Sequence, residues 1–421
     1  LSSQTQRAAG LNDNKFWGVE CLAATQTDAN NQPGVIRFYS GDPTETREKI
    51  VEIRGWEYSD VYTKFTMLGS TLYKDVASGE TSYLGYEVIN YDMGWGAWPE
   101  RWFKVDVATG DTVTLSKEIK DLKWRWFTVE AACQNPVTGE LWGMCRNDSM
   151  SLYNPEYETQ ELVSRVGRIM PDNGEFDEVA KLDHYYMGMA FDAKGQMWAI
   201  RPVFGSVVDE EGVEWPTIEG SVICRLDMEN NFAEIDPVEI TKTDWSGTSG
   251  PFLMWWNNSI AFDYSTGELY ALLCEYNENG YCRQYMYRID RTTGELKNPA
   301  TNDPYGAYLY DISYGLAIPS FFADAPEAPA RVQNLSGEGI EGGTKVKLTW
   351  TNPTLSWGGE ELQGISDVQI YRGSLEGEPV GTVTGAEMGA ESTWTDEAPL
   401  DGVNTYYVLA TLDGKKGVPD S

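Results

Sequence analysis

The chain is poor in the groups from which most catalytic centres are built. It has one histidine, His184, in 421 residues. One imidazole is too few for a typical zinc cluster, and the six cysteines (Cys21, Cys133, Cys145, Cys224, Cys274, Cys282) contain no C-x-x-C pair. A Ser-His-Asp hydrolase would have to use His184, and no G-x-S-x-G precedes a helix. There is no P-loop. No run of about 18 apolar residues is present, which excludes a helical membrane span. Basic residues are scarce too: 32 Lys and Arg stand against 65 Asp and Glu, for a net charge of −33. A field of that sign repels phosphate backbones and excludes nucleic acid as a partner. Its plain meaning is solubility. The chain opens at Leu1 in a polar stretch, LSSQTQRAAG, which reads as a mature or trimmed chain from which any targeting segment is gone. A secreted, periplasmic or outer-cell-surface protein is the expectation.

Aromatic residues and turn residues are abundant. The chain holds 16 Trp, 24 Tyr and 13 Phe. Short β-branched and aromatic runs alternate with Asn, Asp, Gly and Thr, and helical periodicity is almost absent. Two hairpin types recur. PVTGELWGM (136–144), FDAKGQMWAI (191–200) and FDYSTGELYAL (262–272) form one type. FKVDVATGDTV (103–113), IMPDNGEFDEV (169–179), CRLDMENNFAEI (224–235) and YRIDRTTGEL (287–296) form the other. Each unit has four strands, and an Asp precedes its first strand: Asp60, Asp121, Asp183, Asp244 and Asp311, spaced by 61, 62, 61 and 67 residues. Such a period is the signature of a β-propeller. The N-terminal runs FWGVECLA, GVIRFYS and EKIVEIR lack a first strand, and DISYGLAIP (311–319) is a first strand without the other three. Together they complete one blade and leave no open sheet edge. The expectation is an all-β chain with a five-bladed propeller over 1–323.

The pattern changes after the Ala/Pro-rich SFFADAPEAPARVQNL. KVKLTW (345–350), VQIYRG (368–373), VGTVTG (380–385), STWTDE (392–397) and NTYYVLAT (404–411) alternate like strands of a small β-sandwich over 324–421. An early strand ending in Trp350, then TNP, then IYRG around Tyr371, and LDGVNTYYV with Leu400 and Tyr406 resemble a fibronectin type III domain. In that resemblance Leu400 and Tyr406 form the turn-and-tyrosine corner. No RGD is present. The chain ends in VPDS, where the last strand should be running, so that strand is expected to be incomplete or the native chain longer. The whole arrangement resembles the propeller-plus-fibronectin-type-III proteins that bacteria secrete or hold on their surface, which implies roles in glycan capture or adhesion.

Propellers take ligands where loops enter the innermost strands, and those loops are aromatic here: GWEYSDVY (55–62), KWRWF (123–127), LDHYY (182–186), FLMWW (252–256) and YLYDISY (308–314). Trp124, Trp126, His184, Tyr185, Trp255, Trp256 and Tyr310 are the candidate ligand-binding residues, because aromatic faces stack on the apolar faces of sugars. The competing reading packs these rings between blades. Trp95 and Trp98, in NYDMGWGAWPERWF (90–103), are placed at a loop tip that needs burial or a partner.

Two functions compete. The first is a non-catalytic binding protein that recognises a glycan or a cell-surface or extracellular protein. The alternative is a propeller glycoside hydrolase drawing its carboxylates from Asp60, Asp183, Asp311 and Glu130. An Asp in every blade favours a turn role for the aspartates, because catalytic sites are asymmetric. No cofactor is called for. A calcium site is conceivable around DANNQPG (28–34), without EF-hand spacing. Cys133 and Cys145 flank Gly139 at equal distances, and Cys274 and Cys282 flank NENG. Either pair could be cross-strand disulfides or free buried thiols.

Overall fold

The computed structural model describes residues 16–20, 35–39, 48–52, 63–66, 69–75, 81–91, 97–106, 109–116, 128–146, 163–255, 258–264, 267–275, 283–299, 301–309, 313–318, 323–325, 327–357, 360–375 and 377–421. The protein is all-β and of propeller type. Its residues divide into two compact units, one drawn from residues 15–318 and the other built mainly on 319–421.

The first unit contains β1 (Phe16–Glu20), β2 (Val35–Tyr39), β3 (Glu48–Glu52), β4 (Thr63–Thr66), β5 (Thr71–Lys74), β6 (Thr81–Tyr91), β7 (Ala97–Val105), β8 (Thr112–Ser116), β9 (Thr128–Gln134), β10 (Leu141–Arg146), β11 (Ser164–Ile169) and β12 (Phe176–Lys181). It continues with β13 (Gly188–Phe191), β14 (Met197–Val208), β15 (Glu214–Asp227), β16 (Ala233–Glu239), β17 (Thr241–Thr243), β18 (Ser249–Pro251), β19 (Ser259–Asp263), β20 (Glu268–Glu275), β21 (Arg283–Ile289), β22 (Leu296–Lys297), β23 (Ala307–Leu309) and β24 (Ser313–Ala317). They form antiparallel sheets ordered β4-β6-β7-β8, with β5 pairing β6 beside β4 as part of the same first position, β9-β10-β11-β12, β13-β14-β15-β16 and β19-β20-β21-β22, with β23 also on β21. A further sheet, β24-β1-β2-β3, joins the two ends of the unit, with Trp17 opposite Ala317 and Glu20 opposite Ser313. First strands of neighbouring sheets lie side by side: β24 by β5, β5 by β9, and β9 by β13. The circuit continues from β13 to β19, since a Cβ on Gly188 would stand 3.6 Å from Ile260. It closes where the Leu316 amide donates to Ser259 Oγ at 2.8 Å.

The repeat is visible at single positions. Trp142, Trp198 and Tyr270 on the second strands stand directly opposite Arg168, Arg225 and Arg288 on the third. Arg168 lies over the Trp142 ring at 5.4 Å and Arg225 over Trp198 at 5.9 Å, so each charged head covers an aromatic face at the sheet surface. The turns after the third strands repeat as well. Gly110, Gly174, Phe232 and Gly294 donate backbone bonds to Asp106, Met170, Asp227 and Asp290, and all four have φ between 59° and 77°. Phe232 accepts a left-handed backbone that costs a non-glycine residue energy. Its ring is buried 6.0 Å from Trp142, and that burial offsets the strain. Gly174 has no such freedom to change, because a Cβ there would meet Trp102 at 2.5 Å.

The sheets bury their faces against one another. Leu84, Tyr86 and Trp102 pack with Val129, Leu141, Cys145 and Ile169. Trp142, Met144 and Val166 pack with Met189, Phe191, Met197 and Leu226. Most of the large apolar residues of these strands are thereby used in packing between sheets.

Two placements are corrected here, and the open choice at the cysteines is decided. Trp98 is not at a loop tip; it lies within β7, opposite Ile89, and Trp95 lies outside the described residues. Cys133 and Cys145 are thiols and form no disulfide. The hairpin pairs Gln134 with Leu141, so its centre falls before Gly139; Cys133 therefore faces Trp142, and Cys145 faces Val129. Cys274 is disulfide-bonded, and Cys21 and Cys282 lie outside the described residues. Asp244 is not equivalent to Asp183, because it caps the turn of an added hairpin, β17–β18.

In the second unit β25 (Gln333–Ile340), β26 (Lys345–Thr351), β27 (Asp367–Arg372), β28 (Gly381–Thr384), β29 (Glu391–Asp396), β30 (Tyr406–Leu412) and β31 (Lys415–Lys416) form two sheets, β25-β26-β29 and β28-β27-β30-β31. Their inner faces share one core of Val332, Leu348, Trp350, Val368, Ile370, Tyr406, Val408 and Ala410. Pairing of the last strand runs past β31. Gly417 N donates to Ala410 O, and Val408 and Asp420 exchange backbone bonds at 2.8 and 2.9 Å. The Tyr406 hydroxyl reaches Asp396 at 2.6 Å, which also binds Arg372 at 2.7 Å, while Leu400 is 63% exposed and not part of a packed corner.

Candidate functional site

Glu130 is set apart by its backbone. Along β9, Ala131 pairs with Met144 and Val129 with Cys145, so Glu130 is the extra residue of a β-bulge. Val129 packs into the core towards Trp102, and Ala131 packs into the core towards Phe191. The carboxylate between them belongs to neither apolar surface. Bulges re-aim a side chain and cluster beside functional sites. The Glu130 carboxylate accepts a hydrogen bond of 2.5 Å from the Tyr185 hydroxyl.

Tyr185 is delivered by the segment that crosses from β12 to β13. A buried serine at the start of β11 holds that segment. Ser164 N donates to His184 O at 2.9 Å, Ser164 O accepts from Leu182 N at 2.9 Å, and Ser164 Oγ accepts from Tyr186 N at 2.8 Å. The next crossing is held in the same way. Ser221 Oγ donates to Phe252 O at 2.5 Å and accepts from Met254 N at 3.1 Å. Aligning the two clamps puts Asp183 in the place that β17–β18 occupies in the other crossing.

Tyr185 is 2% exposed and does not offer its ring to solvent as expected. It stacks on Phe204 at 6.5 Å, and Phe204 is itself 45% exposed on the long β14–β15 hairpin. His184 and Asp183 are exposed beside it, and His184 meets Tyr186 edge-on at 6.3 Å. The Tyr186 hydroxyl donates to Glu234 at 2.8 Å, and Arg201 grips the same carboxylate through Nε at 2.6 Å and Nη2 at 3.1 Å. Burial alone would raise the Glu234 pKa, but its bonds from Arg201 and Tyr186 leave it below the ordinary carboxylate value. Burial, the neighbouring Cys224 and the bond to Glu234 push the Tyr186 phenol well up. This trio holds the crossing segment by charge as Ser164 holds it by hydrogen bonds.

Trp255 is half-buried, and its amide donates to Cys274 O at 2.8 Å. Its carbonyl accepts from buried Asn258. Asp60, Asp311, Trp124, Trp126, Trp256 and Tyr310 lie outside the described residues, as does the segment 28–34 considered for calcium. Among the described residues no three His, Cys, Asp or Glu side chains converge as a metal-ligand set.

Phe204, Ser164, Ser221 and the Arg201–Glu234 pair escape the sequence reading. A signal for the serines exists: SRVGRI, SVICRL and QYMYRI lie on third strands, each with a buried polar residue four positions before the repeated Arg. The stacking of Phe204 has no local signal, because its partner comes from another strand connection.

No protein-family model matches the chain, and no curated protein matches it. Among solved structures, an exo-β-1,3-galactanase from Phanerochaete chrysosporium aligns over 99% of this chain and 93% of its own, with 8% identity and a TM-score of 0.41. A GH43_1 enzyme from Xanthomonas citri complexed with xylotriose aligns over 69% and 81%, with 12% identity and a TM-score of 0.35. An endo-1,5-α-L-arabinanase from Thermotoga petrophila aligns over 83% and 92%, with 11% identity and a TM-score of 0.33. The reading of a non-catalytic binding protein is corrected in favour of its hydrolase alternative, since these three structures are glycoside hydrolases. At such scores they carry no argument about substrate or catalytic residues, which rests on the geometry of Glu130.

Proposed function

We propose that this chain is a glycoside hydrolase in which Glu130 is the carboxylate that transfers the proton at the scissile bond. The observation that carries this reading is the β-bulge that lifts Glu130 out of the ladder at the start of a first strand and gives it to the Tyr185 hydroxyl. A carboxylate set off by a bulge and held by a positioned phenol suits general acid–base work. Tyr185 is the positioning residue. Glycosidases of this kind work with a second carboxylate, and Asp60, Asp183 and Asp311 are the candidates for it.

Three further parts belong to the proposal. The five four-strand meanders are five blades, closed by β24 and β1. The three- and four-stranded sheets over the Trp350 core are a fibronectin type III-like module. The protein works outside the cytoplasm, in keeping with the disulfide at Cys274 and the acidic surface.

The test is release of reducing ends from a panel of neutral polysaccharides and of nitrophenol from aryl glycosides. Glu130→Gln should lose about 10²–10⁴-fold in kcat with its melting temperature kept. Hydrolysis by the variant at the native rate removes Glu130 from the reaction, and a native protein inert on the whole panel removes the hydrolase reading.

A further inference from the structure

We propose that the β17–β18 hairpin carries a second glycan-binding platform, apart from Glu130, in which the Trp245 ring stacks on the face of a neutral sugar. The hairpin is not required by the fold. The equivalent crossing between β12 and β13 spans the same serine clamp with Asp183 alone, whereas here residues 241–251 are inserted. At its tip Trp245 is 84% exposed, the most exposed large apolar side chain among the described residues. Leaving an indole in water forfeits burial worth having elsewhere.

The ring is nevertheless held in place. It stacks on Tyr305, with centroids 3.7 Å apart and planes 16° from parallel. The turn beneath it is closed by its own bonds. Asp244 Oδ1 accepts from the Ser246 amide at 2.8 Å, the Thr248 amide at 3.0 Å and the Ser246 hydroxyl at 2.5 Å. The Thr243 and Ser249 hydroxyls meet across the strands at 2.8 Å. The hairpin base is tied to the neighbouring sheet by Thr241 N to Gly294 O at 3.0 Å and by the Lys242–Glu275 ion pair. A rigid, open aromatic face loses little freedom when a ligand settles on it.

The surroundings decide the ligand class. The hairpin, TKTDWSGTSGP, has no other large apolar side chain, and Asp244 and Ser246, which flank Trp245 in the chain, bond to each other and to Thr248 in its turn. One ring is far too small for a protein interface, which needs roughly 1,200 Å² or more of buried area. It matches the apolar face of one pyranose, whose hydroxyls can bond to Ser246, Thr248 and Asp244. A chain of net charge −33 also repels an acidic polymer and leaves a neutral one unopposed.

The experiment is affinity electrophoresis of the full chain in gels containing hydroxyethylcellulose, xyloglucan, laminarin or galactomannan. At least one polymer should retard the native protein, and Trp245→Ala should weaken that retardation by about fivefold or more, with Trp245→Phe between them. The melting temperature should not move, because the ring is exposed. Retardation unchanged in Trp245→Ala overturns the platform even if the native protein hydrolyses glycans. No retardation by any polymer, or a loss of self-association in the variant in its place, overturns it as well. Since Trp245 takes no part at Glu130, hydrolysis of a small aryl glycoside should be the same in both.

Discussion

Ser221 shows how much one buried hydroxyl can organise. It is fully buried and serves both a carbonyl and an amide of the following crossing, at Phe252 and Met254. Replacing it by alanine strands two buried backbone groups, each costing about 1–3 kcal/mol. Ser221→Ala should therefore lower the denaturant midpoint clearly with an unchanged slope. Ser164→Ala should do the same and also slow hydrolysis, because the segment it clamps carries Tyr185. A variant at Ser164 that loses stability alone would separate the clamp from the site. At this scale the sequence was partly legible. Asp183 is read as a residue before a first strand and lies between β12 and β13, whereas Glu130 is named only as one of four carboxylates. The bulge that distinguishes Glu130 depends on how β9 pairs with β10, and pairing is a property of two strands, not one.

At the scale of elements, the meanders follow from local chemistry. Asn, Asp and Gly at fixed places make the turns, and alternation of apolar residues sets which face is buried. The extra hairpin β17–β18 was misread for a physical reason. Its Asp244 begins a tight Asx turn, and that chemistry looks the same in any turn, so it mimicked the Asp of the repeat. Exchanging residues 241–251 for a single Asp, the arrangement of the β12–β13 crossing, tests whether the insertion is structural. The exchanged protein should fold, shift its melting temperature by only a few degrees, and lose retardation by the polysaccharides. Failure to fold would show that the Lys242–Glu275 and Thr241–Gly294 contacts support the sheet itself.

For the whole molecule the acidic excess and the paired carboxylates act together. Glu234 keeps a depressed pKa in the folded state through Arg201 and Tyr186. In the unfolded chain it returns to the ordinary value near 4.3. Folding thus gains stability from this group above that pH, and the gain is lost as the pH falls through the lower, folded value. Asp396, where burial opposes but Tyr406 and Arg372 prevail, adds the same trend. Melting temperatures followed downward from pH 6 should fall most steeply below about pH 4.3, and Glu234→Gln should flatten part of that slope while lowering the plateau. An unaltered slope would mean that other carboxylates govern acid unfolding.

By itself the sequence determined the strand-rich class, the repeat and its turns, the change of pattern after residue 319, and the pairing of the chain ends in one sheet. These rest on periodicity and turn chemistry, which are local. The tertiary structure decided what depends on juxtaposition: that Glu130 bulges out to meet Tyr185, that Tyr185 is buried against Phe204, that Cys133 and Cys145 face other residues, and that Trp245 stands exposed on Tyr305. In each case the partner is far along the chain, and strand register together with packing between sheets chooses it.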